Sequence, residues 1–177
     1  STHVPGTIFP KGNTQVTYIA TDASSNSVSC SFIVTVADST APLLNCPANV
    51  TLNTALGVCA QTYTITDPVS DNCVGATWGA SFSGNNNGNP TAFSGIADGN
   101  SSLPITFQRG STTVTLNGVD ASSNLAISCS FRVRVFDNEA PTLSCPQSIT
   151  RNTAAGLCTR NYDIADPVSD NCPGASW

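Results

Sequence analysis

Along most of the chain apolar and polar residues alternate with a period of two, in short runs. Cys129, Phe131, Val133 and Val135 fall on one side of such a run, and Ser130, Arg132 and Arg134 on the other. Upstream, Val114-Thr115-Leu116 alternates in the same way. Between the two runs lies Asp120-Ala121-Ser122-Ser123-Asn124, whose Asp, Ser and Asn side chains favour a turn by bonding to nearby backbone groups. A period of two on either side of such a turn predicts a β-hairpin. A second strand pair is expected where Val50 and Leu52 lead into Gly57, after which Cys59, Gln61, Tyr63 and Ile65 alternate with Ala60, Thr62, Thr64 and Thr66. No stretch of more than ten residues has helical spacing with caps, so the chain reads as all-β. The alternation is broken by Asn85-Asn86-Asn87-Gly88-Asn89-Pro90, and Gly79–Gly99 is read as a loop of low complexity.

The pattern also repeats on a larger scale. Cys30 and Cys129, Cys46 and Cys145, Cys59 and Cys158, and Cys73 and Cys172 are each 99 residues apart. Residues 39–78 align with residues 138–177 without a gap, with 23 identities in 40 positions. The Asp120–Asn124 turn has its counterpart in Asp22–Asn26, at an offset of 98. A fixed period of this size implies tandem domains, each with its own core. The expected division is the C-terminal part of one repeat at 1–38, a complete repeat at 39–137 and the N-terminal part of a further repeat at 138–177. Short strands with a turn about every ten residues suggest a two-sheet sandwich of immunoglobulin-like type.

Composition narrows the chemistry. Six Lys and Arg stand against eleven Asp and Glu in 177 residues, a net charge of −5, which offers no basic surface to a nucleic-acid backbone. Apolar runs are only a few residues long, so no membrane span is expected in this segment. Residue 1 is not Met and begins no signal-like stretch, so the chain is expected to be a mature or excised piece of something longer. Eight cysteines without a C-x-x-C pair, and a single histidine at His3, cannot assemble an ordinary zinc site. Disulfides are the remaining use, which points to an extracellular or cell-surface setting.

An Ala41-Pro42 opening, Cys46-Pro47, Gly57-Val58-Cys59, Asp71-Asn72-Cys73, a Gly110–Thr115 strand, the Asp120–Asn124 turn and the Cys129–Asp137 strand follow one another in order. In this the chain resembles the hyalin repeat (HYR) family. The resemblance covers nearly the whole chain. It implies an extracellular immunoglobulin-like module of adhesion, matrix and surface proteins, with no catalytic residues and no cofactor. Two departures stand out: Asn117-Gly118-Val119 occupies the place of a Tyr-x-Ala-x strand, such as Tyr18-Ile19-Ala20-Thr21, and the Gly79–Gly99 loop is long.

Four cysteines per repeat allow three pairings. If the Pro47–Asn53 and Cys59–Thr66 segments pair with each other, Cys46–Cys73 with Cys59–Cys129 is preferred. Cys46–Cys129 with Cys59–Cys73 is the alternative, since first and last strands of such sandwiches can lie side by side. The second set, Cys145, Cys158 and Cys172, is short of its fourth member, and Cys30 is a fourth member without its first three. Asp67 with Asp71, and Asp166 with Asp170, have the look of acid–base pairs but are better read as turn residues. Asp38 and Asp137, at the repeat junctions, are too loosely spaced for a calcium loop, so no metal site is assigned. Asn49-Val50-Thr51 and Asn100-Ser101-Ser102 fit the N-glycosylation triplet, making Asn49 and Asn100 candidate glycan sites.

Two functional classes follow. One is a structural or adhesive repeat protein forming a head-to-tail fibre, stalk or matrix strand. The other is an ectodomain in which the Gly79–Gly99 loop or the Arg132/Arg134 face binds a glycan or a surface protein. In the first, the partner is a further copy of the chain, joined by covalent continuation or by strand complementation. The C-terminal half-repeat of one copy is then completed by the N-terminal half-repeat of the next.

Overall fold

A computed structural model describes residues 2–84, 90–99 and 102–176. Strands β1 (Gly12–Thr21) and β2 (Ser27–Val36) form an antiparallel hairpin in continuous register, from Gly12 opposite Val36 to Thr21 opposite Ser27. Its turn closes because Asp22 Oδ1 accepts the backbone N–H groups of Ser24 and Asn26 at 2.9 and 2.8 Å. Ser25 takes a φ of 68°, a conformation that short polar residues tolerate when the side chains around them hold the turn.

The same device recurs between β10 (Gly110–Val119) and β11 (Cys129–Phe136). Asp120 Oδ1 accepts from Ser122 and Asn124 at 2.9 and 2.7 Å, and Ser123 has a φ of 71°. The expected hairpin is present, with Val114 opposite Phe131 and Leu116 opposite Cys129. Phe131, Val133 and Val135 are buried, while Ser130, Arg132 and Arg134 face outward.

This hairpin is the centre of a five-stranded sheet of order β4-β11-β10-β7-β8, completed by β4 (Val50–Asn53), β7 (Thr77–Gly84) and β8 (Phe93–Ala97). Across the core lies an antiparallel pair, β5 (Ala60–Ile65) and β9 (Leu103–Gln108). Ile65, Ile105 and Phe107 from that pair join Trp78, Ala80, Val114, Leu116, Phe131, Val133 and Val135 from the sheet in one buried cluster. The arrangement is sandwich-like and all-β, and no helix occurs among the described residues. None is therefore long and apolar enough to cross a membrane. Two-residue ladders flank the body: β3 (Leu43–Leu44) with β6 (Val69–Ser70), and β12 (Thr142–Leu143) with β13 (Val168–Ser169). They are the same ladder, 99 residues apart.

Two expectations need correction. Val50–Asn53 and Ala60–Ile65 do not pair with each other. β4 runs parallel to β11, with Val50 opposite Val133, and β5 pairs with β9 in the other layer. The edge position of β4 is secured at both ends, where Asn49 Oδ1 accepts the Arg132 N–H at 2.8 Å and the Thr54 N–H donates to the Phe136 carbonyl at 2.8 Å. The chain then crosses layers through the Ala55–Cys59 turn. Nor is Gly79–Gly99 a loop throughout, because β7 and β8 occupy much of it. Trp78 is buried edge-on against Phe93, with ring centroids 5.4 Å apart. Gly79 lets the Phe93–Ser94 backbone approach so closely that any Cβ there would collide with it. Residues 85–89 lie outside the described part. Near Asn117 the register is regular: Gly118 is opposite Trp78 and Val119 opposite Thr77.

Candidate functional site

The residues with distinctive chemistry gather where one repeat period meets the next. Cys46 bonds to Cys129, with Cα atoms 6.0 Å apart, and ties the segment after β3 to the first residue of β11. Cys59 bonds to Cys172, 113 residues away, with Cα atoms 4.8 Å apart. The preferred pairing, Cys46–Cys73 with Cys59–Cys129, is therefore not the one the structure holds. Cys46–Cys129 belongs to the alternative set, and Cys59–Cys172 to neither. The cause is the layer crossing. With β5 in the sheet opposite β4, the turn before Cys59 projects from the end of the β5–β9 pair instead of pointing towards Cys73 or Cys129. There it meets the next period. The Gly57 N–H donates to Glu139 Oε1 at 2.7 Å, and Asn171 Nδ2 donates to Glu139 Oε1 at 3.2 Å and to the Val58 carbonyl at 3.4 Å. The Arg109 N–H holds the Cys59 carbonyl at 3.1 Å. Cys30, Cys145 and Cys158 are exposed free thiols, and Cys73 is a half-buried one. The signal for the second bridge was in the sequence: a 99-residue cysteine period is as compatible with bonds between periods as with bonds inside them.

The upstream junction has the counterpart residues. Asp38, Asp71 and Asp120 each bring a carboxylate oxygen within 4.8 Å of the others. Asp38, its side chain almost fully covered, lies 3.2 Å from Lys11 Nζ. The Thr40 N–H beside it is the main reason its carboxyl stays below the usual range, with the Cys73 thiol and Lys11 adding to the effect. Conversely, the hydrogen bond to Asp38 holds the Cys73 thiol above its usual pKa, burial and the negative charge of Asp38 acting in the same direction. Asn124 Nδ2 bridges the Asp38 and Thr40 carbonyls at 3.2 and 3.4 Å, fastening the Asp120 turn to the junction. Asp71 Oδ1 is buried without a hydrogen-bond partner.

As a cation site this cluster is incomplete. Three carboxylate oxygens are about half of the six to eight that calcium takes, and Asp38, Asp71 and Asp120 already accept backbone N–H groups of Thr40, Cys73 and Ser122. The downstream counterpart is Asp137, Asp170 and Cys172. The sulfur of Cys172 is committed to the disulfide, so it is no thiolate donor.

The remaining candidates fall elsewhere. Asp67 Oδ1 and Oδ2 accept the Val69 and Gly99 N–H groups at 3.1 and 2.7 Å, and Asp166 Oδ1 accepts that of Val168 at 2.9 Å. Asp170 Oδ1 takes the Cys172 N–H at 2.8 Å. All are bonds to backbone N–H groups, local except that from Asp67 to Gly99, 32 residues away. Asn49 is exposed at the sheet edge, its Oδ1 held by Arg132 N–H, while Asn100 lies outside the described residues. Arg132 and Arg134 are exposed. Arg134 stacks over Phe136 with its Cζ 4.8 Å from the ring centroid and lines, with Arg109, an open cleft of about 520 Å³.

The chain is similar to known proteins. The HYR domain family profile matches residues 1–36. The chain is 31% identical over 179 residues to the Hyalin of Strongylocentrotus purpuratus, covering 98% of the chain and 14% of that protein. It is 25% identical to the Hyalin of Lytechinus variegatus, covering 99% of the chain and 30% of that protein. The chain thus spans less than a third of the length of either relative. With its cysteine framework, Asx turns and ladders recurring at the period of the sequence repeat, and with similarity to these relatives from end to end, the chain belongs to the hyalin repeat (HYR) family.

Proposed function

We propose that this chain is a stretch of an extracellular, non-enzymatic structural and adhesive protein. In it, immunoglobulin-like sandwiches at 1–38, 39–137 and 138–177 continue head to tail as a fibre, stalk or matrix strand. The observation that carries this reading is a pair of complementary, unfilled faces. Val114, Leu116, Phe131 and Val133 are at most 3% exposed. Their counterparts Val16, Tyr18, Phe32 and Val34 line an open cleft of about 550 Å³, with Tyr18 and Phe32 about half exposed and Val16 buried. In the complete repeat, Tyr63 and Ile65 of β5 close that face. Their counterparts Tyr162 and Ile164 are 52% and 62% exposed. The C-terminal segment of one copy therefore has the side chains that the hairpin of another is missing. By the pairing of Val50 with Val133, Ile149 would lie beside Val34 as an added parallel strand. A glycan on the exposed Asn49, and on Asn100, fits an extracellular surface with few charges.

Negative-stain microscopy of purified protein tests the reading, with regular filaments expected and a discrete stable monomer counting against it. A reducing denaturing gel after removal of sugars separates covalent continuation (a ladder or very large mass) from strand complementation (a band near 18 kDa). The second reading, a ligand- or glycan-binding ectodomain, rests on the Arg109–Arg134 cleft. It is favoured if alanine at both arginines abolishes retention on a glycan array while leaving filaments intact.

A further inference from the structure

We propose that the outward face of β11 binds an acidic polysaccharide, whose sulfate or carboxylate groups are held by Arg109, Arg132 and Arg134 while a sugar ring lies on Phe136. This rests on the ligand- or glycan-binding reading of the same cleft and names the class of ligand.

Residues of a strand alternate between its two sides, so Arg132, Arg134 and Phe136 leave β11 away from the core, with Phe131, Val133 and Val135 buried beneath them. Two residues of strand set the two arginine stems about 7 Å apart. Arg109, just before β10, lines the same open cleft of about 520 Å³ as Arg134 and Phe136. Three of the six Lys and Arg side chains of the chain thus gather on one face. Among the described residues none of the three is paired with a carboxylate, the one ion pair being Lys11–Asp38 at 3.2 Å. Asp137 stands at the Phe136 end of the cleft, where its Oδ1 accepts the Glu139 N–H at 3.2 Å. An anion is therefore received towards Arg132 and Arg134.

The preceding period separates this face from what the fold itself needs. There Ile33, Thr35 and Ala37 stand in place of Arg132, Arg134 and Phe136, and Lys11 is the one cation. The β1–β2 hairpin keeps the same register without them, so the arginines and the phenylalanine are not required to build it. β11 is an interior strand, bonded to β4 and β10, and its outward side is no sheet edge. At the earlier junction, where residues 39–137 follow, Thr35 and Ala37 remain exposed. A following repeat thus leaves this side of the strand open.

Each guanidinium presents its N–H groups as a planar fork that matches two oxygens of a sulfate or carboxylate. Arg134 is steadied by Phe136, with its Cζ 4.8 Å from the ring centroid. The ring is 44% exposed and offers an apolar surface to the C–H face of a sugar. Hydroxyl groups flank the arginines. Ser111 and Thr51 are opposite Arg134 on the neighbouring strands, and Thr113 is opposite Arg132, a supply of donors and acceptors for sugar hydroxyls. An open strand face of this kind does not enclose a small ion but fits an extended chain that carries anions along its length. Three arginines fall short of the basic surface that a nucleic-acid backbone takes.

The test is retention of the purified chain on immobilised dextran sulfate, polygalacturonate, neutral dextran and polyglutamate in about 0.05 M salt, where screening is weak. With a net charge of −5, the chain as a whole is repelled by every polyanion, so retention reports a local site. Retention is expected on dextran sulfate or polygalacturonate and not on dextran or polyglutamate, and the tighter of the first two identifies the anion as sulfate or carboxylate. Arg132→Ala combined with Arg134→Ala should weaken binding about tenfold. Arg151→Ala combined with Arg160→Ala removes the same charge from other exposed positions and should leave binding unchanged. An equal loss in both double variants reduces the effect to net charge and overturns the site. Equal retention on polyglutamate makes the face a dock for acidic protein and overturns the polysaccharide. Binding to neutral glycans alone, still lost with alanine at Arg109 and Arg134, overturns the acidic ligand and spares the glycan-binding reading. No retention on any polymer or glycan overturns both.

Discussion

The hairpins β1–β2 and β10–β11 are close copies in sequence, turn and register, yet one is sealed in a core and the other is largely open on its apolar face. Phe131 is 3% exposed and its counterpart Phe32 45%; Leu116 is fully buried and its counterpart Tyr18 is 50% exposed. The turns are equally well bonded in both. Local hydrogen bonding therefore suffices to shape the hairpin, and what differs is the layer laid over it: β5 and β9 in one case, and residues 2–9 alone in the other. Those residues bring the stacked pair of His3 and Phe9, 5.2 Å apart, and two hydrogen bonds between Thr2 and Thr17; Val16 is buried, while Tyr18 and Phe32 stay about half exposed. Closing a face of this kind is worth roughly 1.5–3 kcal/mol per large apolar side chain.

The contrast breaks most completely if the covered hairpin is unfolded by reduction. The two disulfides close loops with sequence separations of 83 and 113 residues, for which chain entropy gives about 4.5–5 kcal/mol each. A thiol reductant is expected to lower the melting temperature by tens of degrees in scanning calorimetry, and EDTA to leave it unchanged. A large fall with EDTA alone would instead assign a structural ion to the Asp38, Asp71 and Asp120 cluster.

A matched pair of substitutions sharpens the contrast. Phe131→Ala should cost about 3–5 kcal/mol in a urea titration of unassembled chain, whereas Phe32→Ala should stay within about 0.5 kcal/mol, as at other surface positions. In assembled material the order reverses in kind: Phe32→Ala should abolish filaments. An equal cost at both positions in dilute chain would mean that the β1–β2 face is already covered in solution.

A smaller difference separates the turns. Asp120 is buried, and Asp120→Ala should cost about 1–3 kcal/mol by stranding the Ser122 and Asn124 N–H groups. Asp22→Ala, where water can replace the carboxylate, should be unresolved in the same titration. Hydrogen exchange at Asn124 and Asn26 reads the two turns separately.

The smallest effect is acid dependence of the open hairpin. The Asn26 side-chain and backbone N–H groups hold the Asp22 carboxyl below its usual value, and Asp38 is lowered likewise. A folded-state pKa below the unfolded one means that this stabilisation is complete above the ordinary carboxylate range and is lost as pH falls through the lowered value. Exchange protection at Asn26 should therefore decline as pH falls below the ordinary carboxylate range. Rising protection on acidification would contradict the assignment.

What could be read from the residues was what depends on near neighbours. The β10–β11 hairpin, its inward and outward faces, and both Asx turns follow from alternation and side-chain chemistry within a few positions. The period follows from the cysteines. What could not be read was what distant segments decide. Val50–Asn53 looks like a partner for the next strand along, but its mate is the far β11, reached in parallel. Thr77–Gly84 holds Gly, Ala and Ser, weak strand formers on their own, and becomes a strand because Trp78 fills the core and Gly79 admits the neighbouring backbone. The Cys59–Cys172 bond was hidden by the assumption that each repeat closes on itself.

That bond also changes how the chain bears tension. A pull on the two ends travels by the shortest covalent route, which enters Cys59, crosses the sulfurs and leaves from Cys172. The 113 residues of sequence separation between them are shunted out of the load path. Fully stretched they would have supplied roughly 380 Å of extension, at about 3.4 Å per residue. With the bridge intact the sandwich between them has no ends to be pulled by, so it cannot serve as a spring that unravels. Force falls instead on the segments outside the Cys59–Cys172 bridge, and the bridged stretch adds no length until that sulfur bond is cut.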